Sequence, residues 1–529
     1  MAILNFKGKA FVQNYHLQVK YHQLVPRKNK SLTNKVSLHD NLIIHGDNLK
    51  ALKALLPTYA GKIKCIYIDP PYNTGNEKWA YNDNVNSPMM QEWLGKVVDK
   101  EDLTRHDKWL CMMVPRLKLL REFLTEDGAI FVSIDDIEAS KLRLLMDEIF
   151  GEERFIGQFV WKSRQNKDNR NVTRVSVDHE YVICYGKELR GDERNIGQFS
   201  NPDNNPRGDW TSGNMVGLAT QKARPNLHYD LVNSDTGITY PKPKLGWRYD
   251  RARMQKLIDE DRIIWPPEEG GRPRQKVFLS EFRRKFTGFS SIVGKNIFTR
   301  DGTAEIDAIF GERKFDFPKP SSLIRKFVVQ STERDSIVLD SFAGSGPTAQ
   351  AVLQQNCDDG GKRRFILIEC EDYANDITAE RVRRVIKGVP KAKDENLKKG
   401  LSGSFSYFDL GPPIEMEAIL SGDNFPSYAD LARYVFYTAT GEEFDPDAVN
   451  EKKNFIGESV QYLVYLFYKP DIEYLKATAL TLDKAKALGP YKKKRRLVFA
   501  PTKYLDQEHL DELRIDFAQL PFEIYQLVK

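Results

Sequence analysis

What the chain lacks narrows its chemistry first. Five cysteines, Cys65, Cys111, Cys184, Cys357 and Cys370, are scattered over 529 residues without a Cys-x-x-Cys pair, so neither a disulfide framework nor a zinc site is suggested. Reduced thiols are expected. The first residues, Met1-Ala2-Ile3-Leu4-Asn5-Phe6-Lys7, contain no apolar core of a signal peptide, and no uninterrupted apolar run is long enough to span a bilayer. A cytoplasmic protein with no membrane partner is expected. Charge of one sign is also missing: 80 Lys and Arg stand against 74 Asp and Glu, and a net +6 permits a polyanionic partner without demanding one. No Walker motif occurs. Pro470-Asp471-Ile472-Glu473 has the opening of a nuclease motif, but no Glu-x-Lys or Asp-x-Lys follows at the right spacing, which leaves a structural reading.

A hydrophobic content of 41% in a chain of this length supports more than one domain with a sizeable core. The stretch Ile66-Tyr67-Ile68-Asp69-Pro70-Pro71-Tyr72-Asn73 organises the rest. An apolar, β-branched run stops at a carboxylate, two prolines and an aromatic ring, the pattern of a buried parallel strand whose C-terminal end faces a crevice. Before it, Asn41 to Asp47 reads as a strand and Asn48 to Leu56 as a helix, so Lys64 to Ile68 completes a β-α-β unit. A second unit has a helix from Trp109 to Leu124, a turn at Asp127-Gly128 and a strand from Ala129 to Ile134. Phe159 to Trp161 and Tyr181 to Tyr185 are placed to close the sheet as an antiparallel pair.

From 191 to 312 the texture changes to Asn, Gly, Pro, Arg and Lys with isolated Trp and Tyr, which suits base-edge and phosphate contacts as well as ordinary solvated loops. Order returns with Ser336 to Thr348, a strand running through Asp340-Ser341-Phe342-Ala343-Gly344-Ser345-Gly346 into a helix, and with Arg364 to Glu369, a strand ending in acid. The tail has a helix at Ala429 to Tyr437, a strand at Val460 to Tyr468, and a strand, helix and strand near Arg496 to Ala500, Glu508 to Leu513 and Phe522 to Leu527. It reads as a separate α/β domain. Its basic run, Lys492 to Arg496, reads as a solvated turn rather than a phosphate grip.

Two half-sites emerge. Pro70 and Pro71 fix the backbone, so the Asp69 carboxylate and the Pro70 carbonyl offer two acceptors beside the flat face of Tyr72, a set suited to an exocyclic amine on a nucleobase. The glycine turn lets backbone approach a ligand at a helix N-terminus, and Glu369 is spaced to accept both hydroxyls of a ribose. The turn lacks both the Gly-Lys-Ser/Thr ending of a phosphate loop and the third glycine of a dinucleotide fingerprint. Asp340 suits an α-ammonium as counter-charge, which points to S-adenosyl-L-methionine and away from a pyrophosphate.

These motifs resemble the β class of DNA amino-methyltransferases, in which the catalytic motif comes first, a long variable insert next and the cofactor motif last. Three stretches are similar to the modification subunit of Type III restriction-modification systems: Gly46 to Leu49 through Asp69 to Gly75, Pro273 to Glu281, and Phe315-Asp316-Phe317-Pro318-Lys319-Pro320. The resemblance covers roughly 41 to 390. It implies a doubly wound, Rossmann-like α/β sheet, circularly permuted, with an extension at 1–40, a catalytic half at 41–190, a target-recognition domain at 191–312, a cofactor half at 313–400 and a C-terminal domain at 401–529. It implies Asp69, Pro70, Pro71 and Tyr72 as catalytic. S-adenosyl-L-methionine would be bound by Asp47, Phe317, Lys319, Asp340, Phe342, Gly344, Gly346, Thr348 and Glu369. The partners implied are double-stranded DNA, a second copy of the chain and a separate ATP-driven restriction subunit, since this chain has no motor of its own.

The expected reaction is methylation of the N6 amine of adenine in DNA. A C5-cytosine enzyme needs a thiolate nucleophile, typically after proline, and none of the five cysteines follows one. N4 of cytosine stays open, because the same two acceptors serve either amine, although Asp before Pro-Pro leans to adenine. An orphan or phage methyltransferase is a variant of the same reading. Methylation of protein or RNA fits the long basic, aromatic insert less well. A non-catalytic DNA-recognition subunit is the alternative of another class, and would be favoured by decay of Asp69 or Asp340.

Overall fold

A computed structural model of the protein describes residues 3–74, 104–167, 174–282, 286–414, 425–442, 444–491 and 493–520. Gly75, Lys492 and the expected strand Phe522 to Leu527 lie outside the described residues. The backbone divides into two compact units, Met1–Leu189 with Ser290–Lys529, and Arg190–Phe289.

Short runs rich in Ile, Val and Leu become the central strands of the larger unit, because they are long enough to cross a sheet and too short for a buried helix. With the strands flanking them they are β1 (His22–Pro26), β2 (Leu42–His45), β3 (Ile63–Ile68), β4 (Leu124–Ile134), β5 (Phe155–Trp161), β6 (Glu180–Tyr185), β7 (Ile292–Val293), β8 (Ile337–Asp340), β9 (Arg364–Glu369) and β10 (Ser406–Pro413). They form one mixed sheet in the order β1-β10-β2-β9-β8-β3-β4-β6-β5-β7. The run from β10 to β4 is parallel throughout. β6 lies antiparallel to both β4 and β5. β8 and β3 are neighbours, with Val338 opposite Cys65 and Leu339 opposite Ile66, although the sequence sets them far apart.

Helices cover both faces, as near-continuous apolar strands require. α1 (Asn48–Tyr59), α2 (Arg105–Phe123) and α3 (Ala139–Phe150) share a core with Ile66, Ile68, Ile130, Val132, Leu339 and Ile366. Side chains alternate along a strand, so Tyr67 and Phe131 point the other way. There they meet Phe327 of α5 (Ser321–Ser331), whose ring centroid lies 6.3 Å from Tyr67, 4.8 Å from Phe131 and 5.8 Å from Phe159. α4 (Thr299–Phe310), α6 (Pro347–Asp359) and α7 (Glu380–Lys387) complete the elements that frame the site.

The structure draws several boundaries differently from composition. Residues 1–40 are more than an extension, since β1 forms the edge of the sheet against β10. The division at 401 also moves, because β10 pairs in parallel with β2. The segment just before 313 belongs to the larger unit: Ile292 and Val293 pair with Val160 and Trp161. Polar loop texture runs on past 289, and only strand pairing reveals the change. The Asp127-Gly128 turn lies inside β4, where pairing jumps from Ile63–Leu124 to Cys65–Ala129, leaving the turn as a bulge.

The smaller unit has a three-stranded antiparallel sheet, Ile263–Ile264, Arg274–Phe278 and Trp210–Gly213. The isolated aromatics of the sequence are its core: Tyr229, Tyr240 and Trp247 pack with Met215, Met254 and Leu257. In the tail, Phe455–Glu458, Tyr462–Leu466, Arg495–Ala500 and Ile515–Gln519 make a second sheet. Leu463 and Tyr465 serve a core on one face, Val464 and Leu466 a core on the other. Asp471 only caps the helix Ile472–Ala477, and the basic run is paired within the tail, Lys494 with Glu458 at 2.8 Å and Arg495 with Asp516. Among the described residues no helix is long and apolar enough to cross a membrane.

Candidate active site

Four adjacent parallel strands end in carboxylates on the same edge of the sheet. In spatial order these are Asp47 just after β2, Glu369 at the end of β9, Asp340 at the end of β8 and Asp69 just after β3. Neighbouring strands stand about 4.8 Å apart, so the two half-sites share one crevice edge.

The Asp69 corner is fixed from behind. Trp109 Nε1 of α2 donates to the Pro71 carbonyl at 2.6 Å. Asn73 adopts the left-handed region at φ 62°, and its amide donates to the Arg105 carbonyl at 3.2 Å and to buried Glu138. Pro70 and Pro71 have little freedom of φ, and Pro71 and Asn73 are both bonded to α2.

In front of the corner lies one ammonium group. Lys319 Nζ is 3.0 Å from Asp69 Oδ1, 3.1 Å from Glu180 Oε2 and 2.8 Å from the Tyr72 hydroxyl, with its side chain only 9% exposed. The Tyr72 hydroxyl donates to Glu180 Oε2 at 2.9 Å. Burial alone would lower the lysine's affinity for its proton, but Asp69 and Glu180 outweigh it and hold the ammonium charged well above its ordinary range. Burial raises Asp69; Lys319 opposes that and Glu180 adds to it. Asp69 Oδ1 is buried and, although ion-paired with Lys319, has no partner in hydrogen-bonding geometry among the described residues. A buried carboxylate oxygen with an unspent hydrogen-bonding direction is an acceptor waiting for a donor.

The second half-site is tied together by its own carboxylates. Asp340 Oδ1 accepts from the Phe342 amide at 3.0 Å and Oδ2 from the Thr348 hydroxyl at 2.5 Å. Asp340 is 1% exposed, and burial pushes it up to about 7 against those two bonds. Glu369 Oε2 accepts from the Gly344 amide at 2.7 Å, while Oε1 takes the Cys370 and Glu371 amides at 2.9 and 3.0 Å; burial raises it to about 7. Asp340, Phe342 and Thr348 therefore shape the turn from inside.

The two glycines differ. Gly344, at φ 52°, has only the Phe315 ring within reach of an added Cβ, at 3.4 Å, so its backbone is open on the ligand side. Gly346, at φ 80°, caps α6, and an added Cβ would press on Thr378 at 3.3 Å. Packing and backbone conformation, rather than close ligand approach, account for Gly346.

Asp47 caps α1 through the Lys50 amide at 3.1 Å and pairs with fully buried Arg116 at 3.0 Å. Phe317 is 76% exposed at φ 51°, whereas Phe315 of the same hexapeptide stands over Gly344 and meets Tyr373 edge-on at 5.5 Å. Lys319 sits with the Asp69 corner.

Sequence reading missed Glu180, Arg116, Asn48 and Phe315. Asn48 links the halves of the crevice, donating to the Ser341 carbonyl at 2.7 Å and accepting from Arg116. A charged residue opening an otherwise apolar strand was the available signal for Glu180, and an arginine inside an apolar helical run was that for Arg116.

The family model described as "DNA methylase", covering N6 and N4 enzymes, matches residues 63–380. The chain is 31% identical over 447 residues to the Type III restriction-modification enzyme EcoPI Mod subunit of Escherichia phage P1, covering 73% of this chain and 68% of that one. It is 29% identical over 474 residues to the StyLTI Mod subunit of Salmonella typhimurium, covering 83% and 70%. With the Type II methyltransferase M.KpnI of Klebsiella pneumoniae it shares 34% over 343 residues, 61% of this chain and 79% of the relative. The matched segment begins with β3 and runs through both half-sites into α7, and by that match the chain belongs to the N6/N4 DNA methylase family as a DNA methyltransferase of the Type III Mod kind.

Proposed function

We propose that the protein transfers a methyl group from S-adenosyl-L-methionine to the N6 amine of an adenine flipped out of double-stranded DNA. The observation that carries this reading is the buried, unspent Oδ1 of Asp69 beside Tyr72. An amine inside a duplex cannot reach such a corner, so the nucleotide must leave the stack, and Tyr72 offers a plane that recovers part of the stacking energy. Its lone pair is delocalised into the ring. Hydrogen bonds to Asp69 and the Pro70 carbonyl favour a tetrahedral nitrogen and free that pair for attack. No nucleophilic side chain is required.

The residues of the second half-site fit the cofactor. Gly344 is open on one side, Phe315 gives an apolar plane above it, and Glu369 Oε2 carries one bonded amide and so retains a lone pair for a ribose hydroxyl. Asp47, Phe317, Gly344 and Glu369 would hold S-adenosyl-L-methionine, with Asp340, Phe342, Gly346 and Thr348 fixing the turn, and the bound cofactor would supply an electrophilic methyl group. Lys319 we assign to the Asp69 side instead. Base reading we assign to 191–312, centred on the compact unit Arg190–Phe289. The order of Asp69 before that unit and of Asp340 after it supports the permuted, β-class arrangement. The relatives are named as Mod subunits of restriction-modification enzymes, and we extend that role, with a separate ATP-driven restriction subunit and a dimeric state, to this chain.

Single-molecule sequencing of DNA from a host expressing the protein tests the reading. N6-methyladenine at one short motif is expected. N4-methylcytosine alone would reassign the base, and no modification at all would remove the proposal.

A further inference from the structure

Glu180 opens β6, on the far side of the ammonium from Asp69. Its Oε2 takes the Tyr72 hydroxyl at 2.9 Å and Lys319 Nζ at 3.1 Å, so one cation stands between two carboxylates carried on different strands. That arrangement meets a difficulty in the reaction. Asp69 must turn an acceptor to an incoming amine, yet Lys319 already uses its charge. An ammonium this buried cannot simply be released, because a charge left unpaired in the interior is strongly unfavourable. A second carboxylate within reach removes the conflict.

We infer that Glu180 is a positioning residue for methyl transfer: it retains the Lys319 ammonium and the Tyr72 hydroxyl while Asp69 turns to the substrate amine. The inference rests on the reading of Asp69 as the amine acceptor. Glu180 touches no reacting atom. It acts by holding the ring plane of Tyr72 and by giving Lys319 a counter-charge that does not compete with substrate. Three features agree with this. The hydrogen-bonding direction of Asp69 Oδ1 is unspent even with the ammonium 3.0 Å away. Lys319 donates to the Tyr72 hydroxyl, which in turn donates to Glu180 Oε2. The ammonium also lies 4.7 Å from the Tyr72 ring centroid and 6.0 Å from that of Trp161, so two aromatic walls limit where else it can go.

The test uses the full chain with Glu180→Gln, Glu180→Asp and Lys319→Met, read by single-turnover methylation of target DNA and by cofactor calorimetry. Gln keeps the size and the acceptor for Tyr72 but loses the counter-charge. Glu180→Gln should slow methyl transfer at least tenfold and leave the cofactor Kd within threefold of wild type. It should also move the acid limb of the rate to lower pH. The charged groups facing Asp69 are Lys319, Glu180 and Asp340, with the phenols of Tyr67 and Tyr72, and among them Glu180 is a negative charge that opposes ionisation of Asp69. Glu180→Asp should return the limb toward wild type. In a Lys319→Met background, where Glu180 has no ammonium left to retain, Glu180→Gln should add less than threefold.

A wild-type rate for Glu180→Gln overturns the inference. So does equal slowing by Gln and Asp with an unmoved acid limb, or a tenfold further loss in the Lys319→Met background. If wild type methylates adenine and these tests fail, the inference alone falls; if wild type methylates nothing, the underlying reading falls with it.

Discussion

Replacing Asp69 by Ala removes the acceptor and little else. Lys319 keeps Glu180 as counter-charge, Trp109 still holds the Pro71 carbonyl, and none of the bonds among Asp340, Phe342, Thr348, Gly344 and Glu369 involves Asp69. A hydrogen bond to a charged acceptor is worth about 1.5–3 kcal/mol in the ground state. As the amine nitrogen becomes cationic the bond strengthens, and removing one preorganised partner of this kind costs about 10²–10³-fold in rate. The expected outcome is single-turnover methyl transfer slowed by about 10²–10³-fold, with cofactor affinity within a factor of about three. Calorimetry with cofactor and rapid-quench methylation with enzyme in excess read the two quantities separately. A variant that stays folded yet loses cofactor binding, or that methylates within tenfold of wild type, would refute the division of the crevice into an amine side and a cofactor side.

Asp340 and Glu369 both lie at about 7 because burial disfavours their charged forms. With folded values above the ordinary carboxylate range, their stabilising contribution is complete below that range and is lost as pH rises through about 7. A ligand that needs them ionised must expel protons, so S-adenosyl-L-methionine should bind about tenfold tighter at pH 8 than at pH 6 for each carboxylate involved, and calorimetry in buffers of different ionisation enthalpy should detect the release at pH 7. Gly346→Val places a β-branched side chain at φ 80° against Thr378, so it should lower the melting temperature as well as cofactor affinity. Gly344→Ala, at φ 52° with only Phe315 near, should weaken the cofactor with a smaller loss of stability, of about 1 kcal/mol; equal melting temperatures for the two glycine variants would show that the turn is not strained as described. Grafting Arg190–Phe289 from a relative of different target should change the modified motif and leave the cofactor Kd unaltered; an unchanged motif would relocate recognition to other segments.

The sequence by itself marked the two candidate half-sites and determined the core of the sheet. Ile63 to Ile68 and Ile337 to Asp340 are strands because β-branched runs of that length, followed by Pro-Pro and Gly-Ser-Gly turns, have no better conformation, and local rules of this kind are readable residue by residue. Tertiary structure alone decided what those rules cannot reach. That β8 lies beside β3 is a matter of sheet order, and nothing local to either strand encodes it. The position of Lys319 is similar: more than a hundred residues from both Asp69 and Glu180 in sequence, it becomes their shared counter-charge because α5 begins beside the edge where β3 and β6 end and start. Glu180 is marked in the sequence only as a charge opening an apolar strand, and its partners Lys319 and Tyr72 appear only in the fold. Gly346 shows the converse case, a residue singled out in the sequence for close ligand approach whose positive φ and packing against Thr378 appear only once the chain has folded. Strand and turn chemistry act over a few residues, whereas the pairing of buried charges depends on which distant elements share an edge.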